Sequence, residues 1–240
     1  LGHTFQNTAD RLVAYALGQG KSRALIVHAN NVSGQAGSDA IEKALKYRGN
    51  VASGIEKYEF TQQDVVEAMS RVAERNELVE ADIVFLTADY DGGLPLIAQL
   101  LPEAGVDPEV VQFAGLSQWD VLPSAFHLPG IQDGWFAMPS PIRTEQFRAR
   151  FKSVYGVAPH PLATIAYDGV AAVGASVATG NRNALNKQGL TLTSGFQGAA
   201  GIFRLRRDGT VERGLAVATI VGKKVFVLEV APRSFSSFGF

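Results

Sequence analysis

Two aspartates flank a tyrosine in Asp89-Tyr90-Asp91. Carboxylates so placed can hold a hard cation, accept hydrogen bonds from a solute, or cap the turn in which they stand. A second stretch, Gly115-Leu116-Ser117-Gln118-Trp119, begins like a nucleophile elbow but has Trp119 where that turn needs a second glycine. Ser117 is therefore read as a binding hydroxyl and not as a nucleophile. Gly195, Gly198 and Gly201 form a spaced glycine run, but a strand-like segment follows it. A dinucleotide fingerprint needs a helix N-terminus aimed at pyrophosphate, so the run is read as a flexible connector. The four histidines, His3, His28, His127 and His160, are not paired with a carboxylate or another histidine at helical ligand spacing. They are expected to be structural or solvated. The chain has no cysteine, which removes disulfides, thiolate metal sites and a thiol nucleophile. No acid, base and nucleophile set can be assembled, so the expectation is a non-enzymatic protein with no catalytic residue, no metal and no cofactor.

These residues need elements to hold them. The 240 residues carry a formal net charge of -1, with 46% hydrophobic and 19% charged residues, so the chain can build a substantial core and offers no general field for nucleic acid. No run reaches the roughly 20 apolar residues of a spanning helix, and Pro161 to Thr179, the longest weakly polar stretch, reads as a buried helix. A helix with Phe5, Leu12, Val13, Tyr15, Ala16 and Leu17 on one side stops at Gly18 and Gly20. Strand candidates follow at Ala24 to His28, Val51 to Phe60, Ile83 to Thr87 and Val110 to Ala114. Between them lie helical patterns at Ser38 to Tyr47, Val65 to Arg75 with Thr61 and Asp64 as a capping-box-like start, and Leu94 to Leu101 with Pro95 in the first turn. Short apolar strands alternating with amphipathic helices imply an α/β fold, a doubly wound and mostly parallel sheet.

In that arrangement three turns follow parallel strands: Ala29 to Gly37, Ala88 to Gly93 and Gly115 to Asp120. All should emerge at the carboxyl edge of the sheet, where open α/β sheets place ligands. They present Asn30, Asn31, Ser33, Tyr90, Asp91, Ser117, Gln118 and Trp119. Amides, hydroxyls, a carboxylate and aromatics of this kind suit hydrogen-bonded recognition of a small molecule, and they are also ordinary turn residues.

The second half has a strand-like Gly134 to Met138, helices at Thr144 to Tyr155 (capped by Thr144) and Leu162 to Ala178, and strand-like runs at Ile202 to Arg206, Leu215 to Val221 and Lys224 to Val230. Asp208-Gly209 and Gly222-Lys223 mark hairpin turns. The Ser/Phe/Gly-rich tail from Arg233 to Phe240 is expected to be poorly ordered unless it docks.

The helix pair formed by Phe147 to Pro159 and Leu162 to Val170, with Tyr155-Gly156 and Tyr167-Asp168-Gly169, resembles that of type I periplasmic solute-binding proteins, the branched-chain amino-acid receptor group. Phe196 to Phe203 followed by Arg207-Asp208-Gly209 is similar to the family's closing strand and turn, and the early helix, Ala24 to Val27 and the turn with Gly34 match the start of its second lobe. The resemblance implies two Rossmann-like lobes with a solute held between them. It places the second lobe at 1–133, a crossing strand at 134–141, the returning part of the first lobe at 142–210, and crossing strands and a tail at 211–240, with the N-terminal part of the first lobe absent from this chain. It implies a periplasmic, lipid-anchored component of an ABC-type transporter for amino acids or related solutes, partnered by a small-molecule solute and a membrane permease. Ser33 stands where amino-acid receptors usually place an aromatic, and Ser117 where they often place an acid. The segment Gly134 to Pro139 is also similar to the penicillin-binding protein activators, which would imply a scaffold contacting a peptidoglycan synthase. Tyr167 is read as a core aromatic and Asp168 as a helix-sheet hydrogen-bond acceptor, neither as a ligand contact.

Overall fold

A computed structural model describes residues 1–121 and 123–235. Its elements are α1 (Phe5–Gly18), β1 (Ala24–Ala29), α2 (Val32–Tyr47), β2 (Ala52–Tyr58), α3 (Gln62–Val79), β3 (Ile83–Leu86), α4 (Leu94–Glu103), β4 (Gln112–Gly115), β5 (Trp135–Met138), α5 (Pro141–Tyr155), α6 (Ala163–Ala178), α7 (Lys187–Leu190), β6 (Phe196–Gly198), β7 (Gly201–Leu205), β8 (Val211–Arg213), β9 (Ala216–Val221) and β10 (Lys224–Glu229). Among the described residues no helix is long and apolar enough to cross a membrane. The chain divides into two compact units. One comprises Thr8–Ala137 and Val217–Leu228; the other comprises Leu1–Asn7, Met138–Ala216 and Glu229–Phe240.

The first unit is built on a seven-stranded sheet of order β10-β9-β5-β4-β3-β1-β2. The run β2-β1-β3-β4-β5 is parallel throughout, as the alternation of strands and helices predicts. Parallel strands need crossovers, and α2, α3 and α4 supply them. Strands β1 and β3 are buried at every position, so they read as unbroken apolar runs instead of alternating ones. Each crossover helix turns one stripe inward: Ile41, Ala44 and Leu45 from α2, Val65, Met69 and Val72 from α3, Ile97, Ala98 and Leu101 from α4. At the amino edge Asp82 clamps the entries of β1 and β3. Its carboxylate accepts from the backbone of Ser22 (3.0 Å) and Arg23 (2.9 Å) and from the Arg23 guanidinium (2.8 Å), which holds its pKa down at about 2. The β9–β10 turn has both Gly222 (φ 55°) and Lys223 (φ 63°) left-handed, the two-residue type I′ form that matches strand twist.

Several boundaries depart from the sequence reading. Helix α2 starts at Val32, six residues before Ser38, because Asn31 caps it by accepting from the Gly34 amide at 2.8 Å. Most of the supposed Ala29 to Gly37 loop is thus helix. Gly34 makes this early start possible: a Cβ there would lie 2.2 Å from the Ala29 carbonyl oxygen. Thr61 does cap α3, but the Asp64 carboxylate accepts from the Glu59 amide instead of closing a box on Thr61. Helix α5 starts at Pro141 with proline in its first turn, so Thr144 lies inside it and is not its cap.

The second unit is smaller. Strands β6, β7 and β8 form an antiparallel sheet, and Phe196, Phe203 and Val211 pack with Ala172 of α6. The glycine run is no flexible connector: Gly198 and Gly201 face each other in the β6–β7 hairpin, and Gly201 adopts φ 128°. A Cβ on Gly198 would collide with the Asp168 carboxylate at 2.5 Å. Asp168, fully buried, accepts from the Ala199 amide (2.6 Å) and pairs with Arg213 at 2.9 Å, the acceptor role its sequence context predicts. Arg213 also donates to the Leu1 carbonyl, and the Asn7 amide pairs with Val211 and Arg213 along β8. The Pro161 to Thr179 stretch is not the buried helix expected: Val170 is 75% and Val177 56% exposed. Tyr167 is likewise no core aromatic, being 47% exposed and edge-on to Phe147. Residues 236–240 of the tail lie outside the described residues.

Two outcomes are expected. Asp168→Ala strands a buried guanidinium and should cost roughly 3–5 kcal/mol in urea unfolding, whereas replacing Asp168 and Arg213 together with leucine and methionine should cost clearly less. Asp82 has a folded pKa below its ordinary 3.8, so its stabilisation is present above about pH 4 and is lost as pH falls toward 2. Thermal melts across that window should therefore fall less steeply for Asp82→Asn than for the parent.

Candidate functional site

Parallel pairing of β1, β3 and β4 brings the turns that follow them to one edge of the sheet. At that edge Asp89, Tyr90, Asp91, Leu94, Ser117, Gln118, Trp119, Val121, Ala125 and Ile131 line a concave cavity of about 240 Å³. Five of the predicted contacts, Tyr90, Asp91, Ser117, Gln118 and Trp119, meet there. Asn30, Asn31 and Ser33 do not line it. The Asn30 amide donates to Glu59, Asn31 caps α2, and Ser33 sits exposed in the first turn of that helix.

The turn after β3 is held by its own polar groups. Asp89 accepts from the Gly92 amide at 2.6 Å, and its carbonyl accepts from Leu94 at 2.9 Å. The buried Tyr58 hydroxyl donates to the Gly92 carbonyl at 3.0 Å. Burial, and secondarily the Asp89 charge, push the Tyr58 pKa up to about 12, so this phenol stays a neutral donor. Ser117 donates from Oγ to the Ala88 carbonyl at 3.0 Å and so ties the β4 turn to the β3 turn. Asp91, by contrast, is exposed and its carboxylate has no hydrogen-bond or ion-pair partner among the described residues. Tyr90 is 57% exposed at the cavity mouth.

Trp119 forms the inner wall, 2% exposed and stacked on Phe136 at 6.2 Å between ring centroids. Two glycines admit it. A Cβ on Gly115 would lie 2.2 Å from the indole, and one on Gly134 would lie 2.3 Å from its six-membered ring. The buried indole N–H has no acceptor among the described residues. A buried donor left unpaired is costly unless something arrives to accept from it.

Sequence reasoning left Asp89 out of the predicted contacts, and it missed Leu94, Val121, Ala125 and Ile131. The last three come from short 3₁₀ turns and loops with no periodic pattern. The signal available for them was Trp119 itself, a large ring that had to be walled in. Among the described residues no group of three or more His, Asp or Glu side chains could hold a metal ion. Of the histidines, His28 is fully buried in β1 with Nδ1 2.9 Å from the Ala29 carbonyl, and His160 accepts from the Leu162 amide. A larger cavity, about 840 Å³, lies in the other unit between α5 and α6. Phe147, Phe151, Tyr155 and Tyr167 line it, and none of the predicted contact residues does.

A family model described as periplasmic binding protein matches residues 1–224. No curated protein matches the chain. Solved structures with the same fold include a provisionally assigned branched-chain amino acid ABC transporter from Rhodospirillum rubrum, 17% identical with a TM-score of 0.74 over 94% of this chain and 66% of that one. An ABC transporter substrate-binding protein from Desulfitobacterium hafniense, solved in complex with Leu, is 18% identical with a TM-score of 0.67 over 93% of this chain and 65% of that one. A solute-binding protein of an ABC transporter from R. palustris, in complex with benzoate, is 18% identical with a TM-score of 0.61 over 96% of this chain and 63% of that one. The chain thus spans slightly less than two thirds of the length of these structures.

Gly115→Ala is expected to push the indole out of its slot. Overpacking of this kind costs about 1–3 kcal/mol. It should also red-shift the intrinsic emission, since Trp119 is one of only two tryptophans.

Proposed function

Given that the chain belongs to the periplasmic binding protein family, we propose that it is a non-enzymatic solute-binding protein whose recognition surface is the carboxyl edge of the parallel sheet. The observation that carries this reading is the cavity under that edge. It combines an indole, a phenol, an amide and a carboxylate that is unpaired among the described residues with the apolar walls of Leu94, Val121 and Ile131. Small-molecule sites have this make-up, mostly apolar surface with a few placed polar groups. Tyr90, Asp91, Gln118 and Trp119 are proposed to touch the solute, with Ser117 holding the two turns together; Asn30, Asn31 and Ser33 flank the same edge.

In the finer form of the proposal the protein works in the periplasm as the substrate-binding component of an ABC-type transporter, delivering amino acids or related small solutes to a membrane permease. The family match and the fold shared with transporter components, one holding Leu and another benzoate, support it. On this reading the seven-stranded unit is one lobe of the binding protein and the 138–216 unit belongs to the other.

Thermal denaturation with a panel of amino acids, amides, amines and aromatic acids tests the reading. A ligand that binds only the native state stabilises it by about 2.7 kcal/mol when present at a hundred times its Kd. At least one panel member should raise Tm, with no chemical turnover of that compound by mass spectrometry. A flat panel, or consumption of the ligand, would count against the proposal.

A further inference from the structure

The two edges of the seven-stranded sheet are finished differently. At one edge β2 is closed off by charge: Glu56 pairs with Arg75 at 3.2 Å and with Arg71 at 3.8 Å, and Arg71 donates to the Lys57 carbonyl at 2.9 Å. Charged side chains on an edge strand keep it from pairing with another chain. At the other edge β10 reads Lys224-Val225-Phe226-Val227-Leu228-Glu229, with no charge between its two ends. Every residue of it is exposed except the half-buried Val225, and the exposed Val230 continues the apolar run. An uncharged, apolar edge of this kind is a template for one more strand.

Hairpin geometry fixes which backbone groups β10 offers. The two-residue turn at Gly222-Lys223 makes Val221 and Lys224 a hydrogen-bonded pair. Alternation along the ladder then turns the N–H and C=O of Lys224, Phe226 and Leu228 toward β9, and those of Val225, Val227 and Glu229 outward. An added antiparallel strand must match outward residues to outward residues. For a second β10 related by a two-fold axis, the registers of fullest overlap are centred on Phe226 or on Val227. The first sets Phe226 against Phe226 of the second copy, and the second sets it against Leu228 of the second copy. Both bring Glu229 of each copy to Lys223 of the other, across the pair in the first register and diagonally in the second. Neither sets like charges opposite each other, so the strand complements itself in charge and in apolar surface.

We propose that two copies of this chain associate by antiparallel pairing of β10 with β10 about a two-fold axis, which continues the sheet from one copy into the other. Sedimentation velocity on the full chain across a concentration series tests it. A contact one strand wide is small and belongs with weak interfaces, so the dimer fraction should rise with concentration. Val227→Lys puts a charge at the centre of the edge and should leave the chain monomeric throughout, with Tm at the parent value because Val227 is already exposed. Lys223→Glu or Glu229→Lys alone should weaken the dimer by about tenfold, and the two together should restore it, which a folding defect would not do. Amide hydrogen exchange reads the parent chain directly: the N–H groups of Val225, Val227 and Glu229 should exchange fast in dilute solution and gain protection as the dimer forms. A chain monomeric at every concentration, or a dimer indifferent to Val227→Lys, would overturn the proposal. So would protection of those three amides at every dilution, because the edge would then be covered within a single chain. Failure of the double reversal to restore association would overturn the two-fold antiparallel pairing.

Discussion

A parallel strand cannot be joined to its neighbour by a tight turn. The chain must leave the carboxyl edge, cross the sheet through a helix and re-enter at the amino edge. In this protein that constraint organises everything around the cavity. Each of β1, β3 and β4 exits at the same edge, so turns separated by tens of residues become neighbours. Ser117 can then reach the Ala88 carbonyl, and the Tyr58 hydroxyl can reach Gly92. The opposite edge is held by Asp82, which gathers the entries of β1 and β3 onto one carboxylate. Fixing one edge electrostatically and the other by turn-to-turn hydrogen bonds leaves the polar rim little freedom.

Close approach at glycine does the rest of the shaping. Trp119 lies in a slot that exists only because Gly115 and Gly134 lack side chains. The ring closes the cavity from within, and its buried N–H has no acceptor among the described residues. Gly34 plays a comparable part beneath α2, where the helix begins almost in contact with the end of β1. In both places the absence of a side chain on glycine leaves room that a neighbouring group fills.

The smaller unit is stabilised differently. It has a modest apolar cluster around Phe203, and its centre is the buried Asp168–Arg213 pair, reinforced by Ala199, Leu1 and the ring of Phe203. Such a pair adds little net stability over an apolar replacement but is severe in its demand for geometry. It explains the small residue at Gly198, which the carboxylate overlies. Helix α5, meanwhile, has no buried residue, and its Phe147 meets Tyr167 of α6 edge-on beside the larger cavity.

Local pattern carried a great deal of this protein. Unbroken apolar strands alternating with striped helices fixed the class of fold and the edge at which the polar turns emerge, because period and burial are local consequences of residue type. The Thr61 cap, Pro95 in the first turn of α4 and the Gly222-Lys223 hairpin were legible for the same reason. Other features depend on atoms brought from far along the chain. Asn31 and not Ser38 opens α2, since Gly34 tolerates contact with Ala29. The glycines near 198 serve a hairpin under Asp168, and an Ala/Val-rich helix that looks buried by composition leaves its valines exposed. Composition states what a segment could bury; only tertiary packing decides what lies against it, and so which five of eight candidate side chains share one cavity.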